Sequence, residues 1–342
     1  MTVRYVVAGP ARHGVVRHAL RLGESEPFLS QALVRVSSEV SGREPPGLRD
    51  AVPRGSTAFL HVTDRLFGAS PEDAAATIRA VAAGSTLALS LHDVPQVSEG
   101  EEWFRRRRGA YAEFASVATQ IVVASEFEKA LLVACVDDPE SVAAVRRKTT
   151  VVPLPLERGG YRGPAPDGES AEIAVLGYLY PGKGVEDVID AAATMAADGH
   201  VVSVVNYGAA AEGHEDLVGQ LQDRAGRAGV RFRVTGYLGD DELSVALAGA
   251  GVPVAPHRHI SASGSVNSWI AAGRRPIVRR GGYSVEVADR LPGALVLADS
   301  LHDAITAAVD DPGSTRLDPA TRVGPTWAQA ATMHAVILRG LS

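Results

Sequence analysis

The sequence has one cysteine, Cys135, in 342 residues. No intramolecular disulfide framework is open to it, and the apolar setting LLVACV reads as a small buried side chain rather than a nucleophile. No apolar run approaches the ~18 to 20 residues needed to span a bilayer. The opening VRYVVAG is strand-like, without a basic segment and apolar leader. The expectation is a cytoplasmic protein with no stable membrane insertion. Cationic excess is also missing: 34 Lys and Arg against 40 Asp and Glu give a formal net charge of -6. That balance argues against nucleic acid as a general partner, but not against a local basic pocket for an anionic small molecule. Acidic residues are absent between Leu243 and Val285, a stretch that holds His257, Arg258, His259, Arg274, Arg275, Arg279 and Arg280.

What is present is an ordinary globular composition, 46% hydrophobic and 22% charged, on a chain long enough for two domains. Apolar runs read as strands at 3–8, 32–36, 58–62, 87–91, 121–124 and 151–154, with helical patterns at 71–83, 101–117 and 126–135. A Gly- and Pro-rich stretch, ERGGYRGPAPDGES at 157–170, interrupts them. The alternation then restarts, with strands at 173–176, 201–205, 232–235, 252–255, 277–278 and 295–297. Helical patterns fall at 185–197, 216–228, 240–248 and 266–272, and a last one at 326–341. Strand-helix alternation of this kind makes parallel, doubly wound sheets that bind ligands beyond their strand carboxyl ends. The expected division is a first α/β domain at 1–156, a linker at 157–170, a second α/β domain at 171–325, and a helix at 326–342 packing back on the first.

The stretch GYLYPGKG, Gly177 to Gly184, almost spells a nucleoside-triphosphate loop. Such a loop needs Ser or Thr after the lysine to hold magnesium, and Gly184 stands there instead. A partner strand ending in an acid, ALVLAD to Asp299, fits only superficially without that hydroxyl. An NTPase built on this loop remains one reading, and it would require magnesium.

Several segments, in order, resemble the GT-B glycosyltransferases, most closely the retaining family 4 type. GPARHG, Gly9 to Gly14, follows the first strand as the family's Gly-rich loop does; the resemblance puts Gly14 near the donor diphosphate and His13 near the sugar or acceptor. LSLHDVPQ ends a strand with His92 and Asp93, and a histidine in this setting reaches the transferred sugar in family members. In GYLYPGKG, Lys183 matches the cation that binds the donor diphosphate, with Gly177 beside it, while Tyr178 stands where an arginine is frequent. The fourth segment is APHRHISASGSVNSWIAAGRRPIV, and it resembles the donor-site helix. It brings Ser263, Gly264, Ser265 and Ser268 to the nucleotide diphosphate, with Tyr237 alongside, and Ser261 and Asn267 toward sugar or acceptor. Two glutamates that the family usually carries fall on Ile260 and Ser268 and are missing. The cationic bias of this segment suits a ligand with two phosphates.

The resemblance implies two facing Rossmann-like domains of the GT-B fold, with a terminal helix crossing back. It further implies a retaining, metal-independent hexosyltransferase-like enzyme with no cofactor, using a nucleotide sugar as donor and a small molecule or glycan as acceptor. His92 and Lys183 are its expected catalytic residues. The missing glutamates leave a second reading, a non-catalytic sugar-nucleotide-binding or scaffold protein. His257 and His259 lack the further ligands a zinc site needs. The Asp pairs at 137–138, 240–241 and 310–311 read as caps and turns rather than metal ligands. The run Arg105 to Arg108 reads as a solvated helix face, or as a site for an anionic acceptor or headgroup.

Overall fold

The computed structural model describes residues 3–28, 32–37, 43–159 and 171–341. Contacts divide the chain into two compact units, Met1–Pro155 with Pro325–Ser342, and Leu156–Gly324. Of the stretch expected as a linker, 160–170 lie outside the described residues.

The first unit is a parallel sheet of β1 (Arg4–Gly9), β2 (Ala32–Ser37), β3 (Thr57–Val62), β4 (Thr86–Leu91), β5 (Gln120–Val123) and β6 (Thr149–Val151), in the order β2-β1-β3-β4-β5-β6. Around it lie α1 (Gly14–Gly23), α2 (Leu48–Ala51), α3 (Asp64–Phe67), α4 (Pro71–Ala82), α5 (Glu101–Val117), α6 (Glu126–Val133) and α7 (Pro139–Lys148). All six residues of β3 are buried, as a parallel strand covered on both faces requires. Helix starts follow their caps: Ser70, Ser125 and Asp138 each accept an amide three residues on, and Pro follows the first and last of these. The last strand ends earlier than its apolar run suggests. The Val152 amide adds one bond to the Val123 carbonyl, and Pro153 then has no N–H to continue.

The second unit is a parallel sheet of β7 (Ala171–Leu176), β8 (Val202–Tyr207), β9 (Arg231–Val234), β10 (Val252–Ala255), β11 (Ile277–Arg279) and β12 (Val296–Ala298), in the order β12-β11-β10-β7-β8-β9. Its helices are α8 (Val185–Ala197), α9 (Asp216–Arg227), α10 (Asp240–Gly249), α11 (Gly264–Ala271), α12 (Gly282–Arg290) and α13 (Leu301–Asp310). The strand order reverses between β7 and β10, and in the first unit between β1 and β3. Crevices at such reversals, beyond the strand carboxyl ends, are where open α/β sheets take ligands.

The last helix, α14 (Trp327–Arg339), starts on a reciprocal Thr326–Gln329 cap. Ala330, Ala331 and Leu338 on it belong to the apolar core of the first unit. No helix among the described residues is long and apolar enough to cross a membrane.

Candidate functional site

In the second unit the switch point is occupied by Lys183, which follows β7, and His257, which follows β10. GYLYPGKG folds as a tight turn in which Gly177, Gly182 and Gly184 all have φ between +83° and +111°. A Cβ at Gly184 would lie 2.3 Å from the Pro256 carbonyl oxygen. The position where a triphosphate loop carries its metal-binding hydroxyl therefore has no room for a side chain. The turn curls Lys183 back onto its own strand: Nζ donates to the Leu176 carbonyl at 2.6 Å and lies 2.9 Å from His257 Nε2. Lys183 is only 3% exposed, so it is not a solvated turn lysine. Burial lowers its pKa to about 7. Burial and then the Lys183 charge hold His257 well below the usual histidine range. As an ammonium, Lys183 has three protons, of which two are engaged, and no carboxylate pairs with it among the described residues.

The cationic segment around this pair is a correction to the sequence reading. Arg258 and Arg279 both close on Asp187 of α8, at 2.7 and 2.5 Å, and Arg280 closes on Asp299 at 2.7 Å. Arg274 is buried, with its guanidinium spent on the carbonyls of Ala250, Gly251 and Thr315 and on the Thr315 hydroxyl. Arg275 donates to the Ser314 carbonyl at 2.9 Å. These arginines brace the second unit, three of them on the carboxylates of Asp187 and Asp299 and two on backbone carbonyls.

The start of α11 narrows in the same way. Ser263 caps the helix by accepting the Val266 amide at 3.2 Å, and its own amide donates to the Tyr283 hydroxyl at 3.2 Å. Its hydroxyl sits 3.0 Å from that of Ser265. The amides left for a ligand in this turn are those of Gly264 and Ser265. Ser268 donates back to the Gly264 carbonyl at 2.9 Å, so toward a ribose hydroxyl it can only accept. Asn267 and Ser261 are buried, while Tyr178 and Tyr237 are 40% and 49% exposed past the ends of β7 and β9.

In the first unit, His13, His92 and Asp93 lie beyond the carboxyl ends of β1 and β4. His13 caps α1, its Nδ1 accepting the Val15 amide at 3.3 Å, and Gly14 opens the helix. Burial lowers the His13 pKa, Asp93 opposes that, and Arg65 reinforces it, which puts these groups in one electrostatic neighbourhood. Asp93 alone among the described non-glycine residues has positive φ, +53°. Arg107 holds it there, donating to its carbonyl at 2.5 Å while pairing with Asp64 at 3.0 Å and Glu99 at 2.5 Å. The run at 105–108 is thus not a purely solvated face: Arg107 is buried, and Arg106 and Arg108 pair with Glu72 and Asp137.

His92 itself is 8% exposed and held at both ends. The Tyr111 hydroxyl donates to its carbonyl, and its amide donates to the Val62 carbonyl at 2.9 Å. Its ring stacks on His61, centroids 5.2 Å apart, with His18 at 5.7 Å. Burial lowers its pKa to about 4 despite the neighbouring Asp93. A cavity of about 10 Å³, at the limit for a single water, is lined by His18, Ser90, His92 and His334. Arg65, Tyr5, His18, His61 and His334 went unread in the sequence, because a lone histidine in an apolar strand or helix carries no mark of its neighbours. Among the described residues no group of three His, Cys, Asp or Glu could hold a metal ion.

Two parallel-sheet units of this topology in one chain define the GT-B fold, and solved structures agree. Sucrose-phosphate synthase from Thermosynechococcus elongatus superposes with a TM-score of 0.70 at 14% identity, over 100% of this chain and 99% of its own. HepE of Anabaena, in complex with UDP and glucose, gives 0.67 at 13% identity, over 99% and 95%. WaaG, a glycosyltransferase involved in lipopolysaccharide biosynthesis, gives 0.59 at 14%, over 98% and 95%. No protein-family model matches the sequence, and no curated protein sequence does.

Proposed function

We propose that the protein is a glycosyltransferase of the retaining, family 4-like kind, moving a sugar from a nucleoside-diphosphate donor to a small-molecule or glycan acceptor. The observation that carries this reading is the buried Lys183, a cation without a carboxylate at the β7/β10 switch point. An anionic diphosphate is the kind of ligand that a buried ammonium without a carboxylate would pair with. HepE, on the same fold, is seen with UDP and glucose. In the reaction the bond from the sugar's anomeric carbon to the diphosphate breaks and a bond to the acceptor oxygen forms on the same face. The acceptor's proton passes to the leaving phosphate oxygen. Lys183 and the amides of Gly264 and Ser265 would take up the charge that develops there, without a metal ion. His92 would orient the sugar.

Thermal shift against nucleoside diphosphates and their sugars tests the reading. At least one should stabilise the protein, and Lys183→Ala should weaken that stabilisation and lower turnover by about 100-fold or more. Stabilisation by none of them, or unchanged turnover in the variant, would sink it. The second reading, a sugar-nucleotide-binding protein without transferase activity, is favoured by Ile260 and Ser268 at the positions of the acidic pair. It predicts binding with neither transfer nor hydrolysis.

A further inference from the structure

We propose that Tyr5 and His61 are positioning residues for His92, fixing its ring with the proton on Nε2 so that Nδ1 is left as a hydrogen-bond acceptor for a hydroxyl of the transferred sugar. The identity of that hydroxyl rests on the glycosyltransferase reading; the tautomer rests on the hydrogen-bond chain alone.

The chain runs across three strands. The Tyr5 hydroxyl of β1 lies 2.6 Å from the Ala19 carbonyl oxygen and 3.0 Å from His61 Nε2 of β3. His61 Nδ1 lies 3.0 Å from Nε2 of His92, which follows β4. A phenol has one proton, and a carbonyl can only accept. Were that proton turned toward His61, two buried oxygens would face each other at 2.6 Å with nothing between them. It therefore goes to Ala19, and the Tyr5 oxygen must accept from His61, whose proton is fixed on Nε2. His61 is neutral, since burial first and then its histidine neighbours disfavour its charged form. Its Nδ1 is thus a lone pair, and the contact with His92 is a hydrogen bond only if His92 donates from Nε2. The Ser90 hydroxyl, 3.2 Å from the same nitrogen, accepts a share of that proton.

What remains on His92 is Nδ1, which makes no hydrogen bond among the described residues. The bond made by one imidazole nitrogen decides what the other can do. Here the decision is made at Tyr5, two strands away. A neutral ring with only a lone pair to offer recognises a hydroxyl and rejects an oxyanion. It therefore fits the uncharged face of a sugar and not the phosphates that Lys183 would take. The groups around the ring leave this state undisturbed: His18 from α1 and His334 from α14 are themselves kept neutral by burial. Asp93 opposes that effect at His92 without outweighing it.

The test is Tyr5→Phe in the full chain, which keeps the ring and removes only the hydroxyl. Nitrogen-resolved NMR of isotope-labelled histidines, with His92 assigned by its loss in His92→Asn, should show His61 and His92 of the parent protein protonated at Nε2 alone. In Tyr5→Phe the pure tautomer should give way to a mixture. Turnover should fall about tenfold with KM for the sugar nucleotide held within about twofold, the split expected when orientation and not binding is lost. The sugar nucleotide used is the one giving the largest thermal shift among UDP-, GDP-, ADP- and dTDP-linked sugars. A proton on Nδ1 of His92 in the parent overturns the proposal whether or not the variant folds. So does an unchanged tautomer, or unchanged turnover, in Tyr5→Phe. Absence of transfer by the parent overturns the glycosyltransferase reading and with it the sugar-facing role, while the tautomer still stands or falls on the spectra.

Discussion

Lys183 is held away from water and from any carboxylate among the described residues, and its pKa falls from 10.5 to about 7. In the unliganded protein the unfolded chain binds the extra proton between those values, so the strain at this residue eases, and stability rises, as pH climbs from about 7 toward 10.5. On the proposed function, a diphosphate bound at Lys183 would reverse the shift by favouring the ammonium. Below about pH 7 the charge is in place before binding. Above it each binding event takes up a proton, and affinity falls by up to about tenfold per pH unit until the bound-state pKa is passed. Calorimetry of nucleoside-diphosphate binding in buffers of different ionisation enthalpy, near pH 8, should show uptake approaching about one proton. In Lys183→Met that uptake should vanish; uptake unaltered by the substitution would place the titrating group elsewhere.

At the scale of elements, the second unit is braced by arginines that the sequence offered as ligand contacts. Arg274 ties the segment after α11 to the carbonyls of Ala250 and Gly251 ahead of β10 and to Thr315. Replacing it with Met would leave several buried carbonyls unanswered. Chemical denaturation of Arg274→Met should show a loss of about 3 kcal/mol or more, with the nucleotide affinity of the folded fraction retained. A loss of binding with stability intact would return Arg274 to the ligand. Local signals served the sequence reading well: α5 and α8 fall on their expected spans, and Asp138 caps α7 as its position before Pro139 suggests. The turn at Lys183 was legible too, because strand, glycines and lysine are contiguous. What was not legible is pairing at distance. Asp187 meets Arg258 and Arg279 across 71 and 92 residues, and His61 meets His92 across 31, with no periodicity or motif to announce them.

At the scale of the whole molecule, the first unit stores four neutral histidines, the buried His61, His92 and His334 and the half-buried His18. Burial is the leading cause in each case, taking His92 and His334 to about 4 and the other two well below their usual value. His92 and His334 bind a proton only on unfolding in the window between 6.5 and about 4, and His18 and His61 do the same below 6.5, so stability falls as pH falls through that range. The slope is up to roughly 1.4 kcal/mol per pH unit for each. Denaturation midpoints should drop steeply from about pH 7 to about pH 5, and His61→Gln should flatten the drop. An equal slope in that variant would mean that carboxylates, not the histidine cluster, set acid sensitivity.

The return of α14 to the first unit has a last consequence, for how the chain can be divided. A gene truncated after Pro155 encodes every strand of the first sheet yet omits Ala330, Ala331 and Leu338, three members of its core. Such a fragment would carry an uncovered apolar seam, and the missing piece is a short helix that a synthetic peptide can supply. The first half is thus a split protein awaiting its complement, completed only once the residues of α14 have been made.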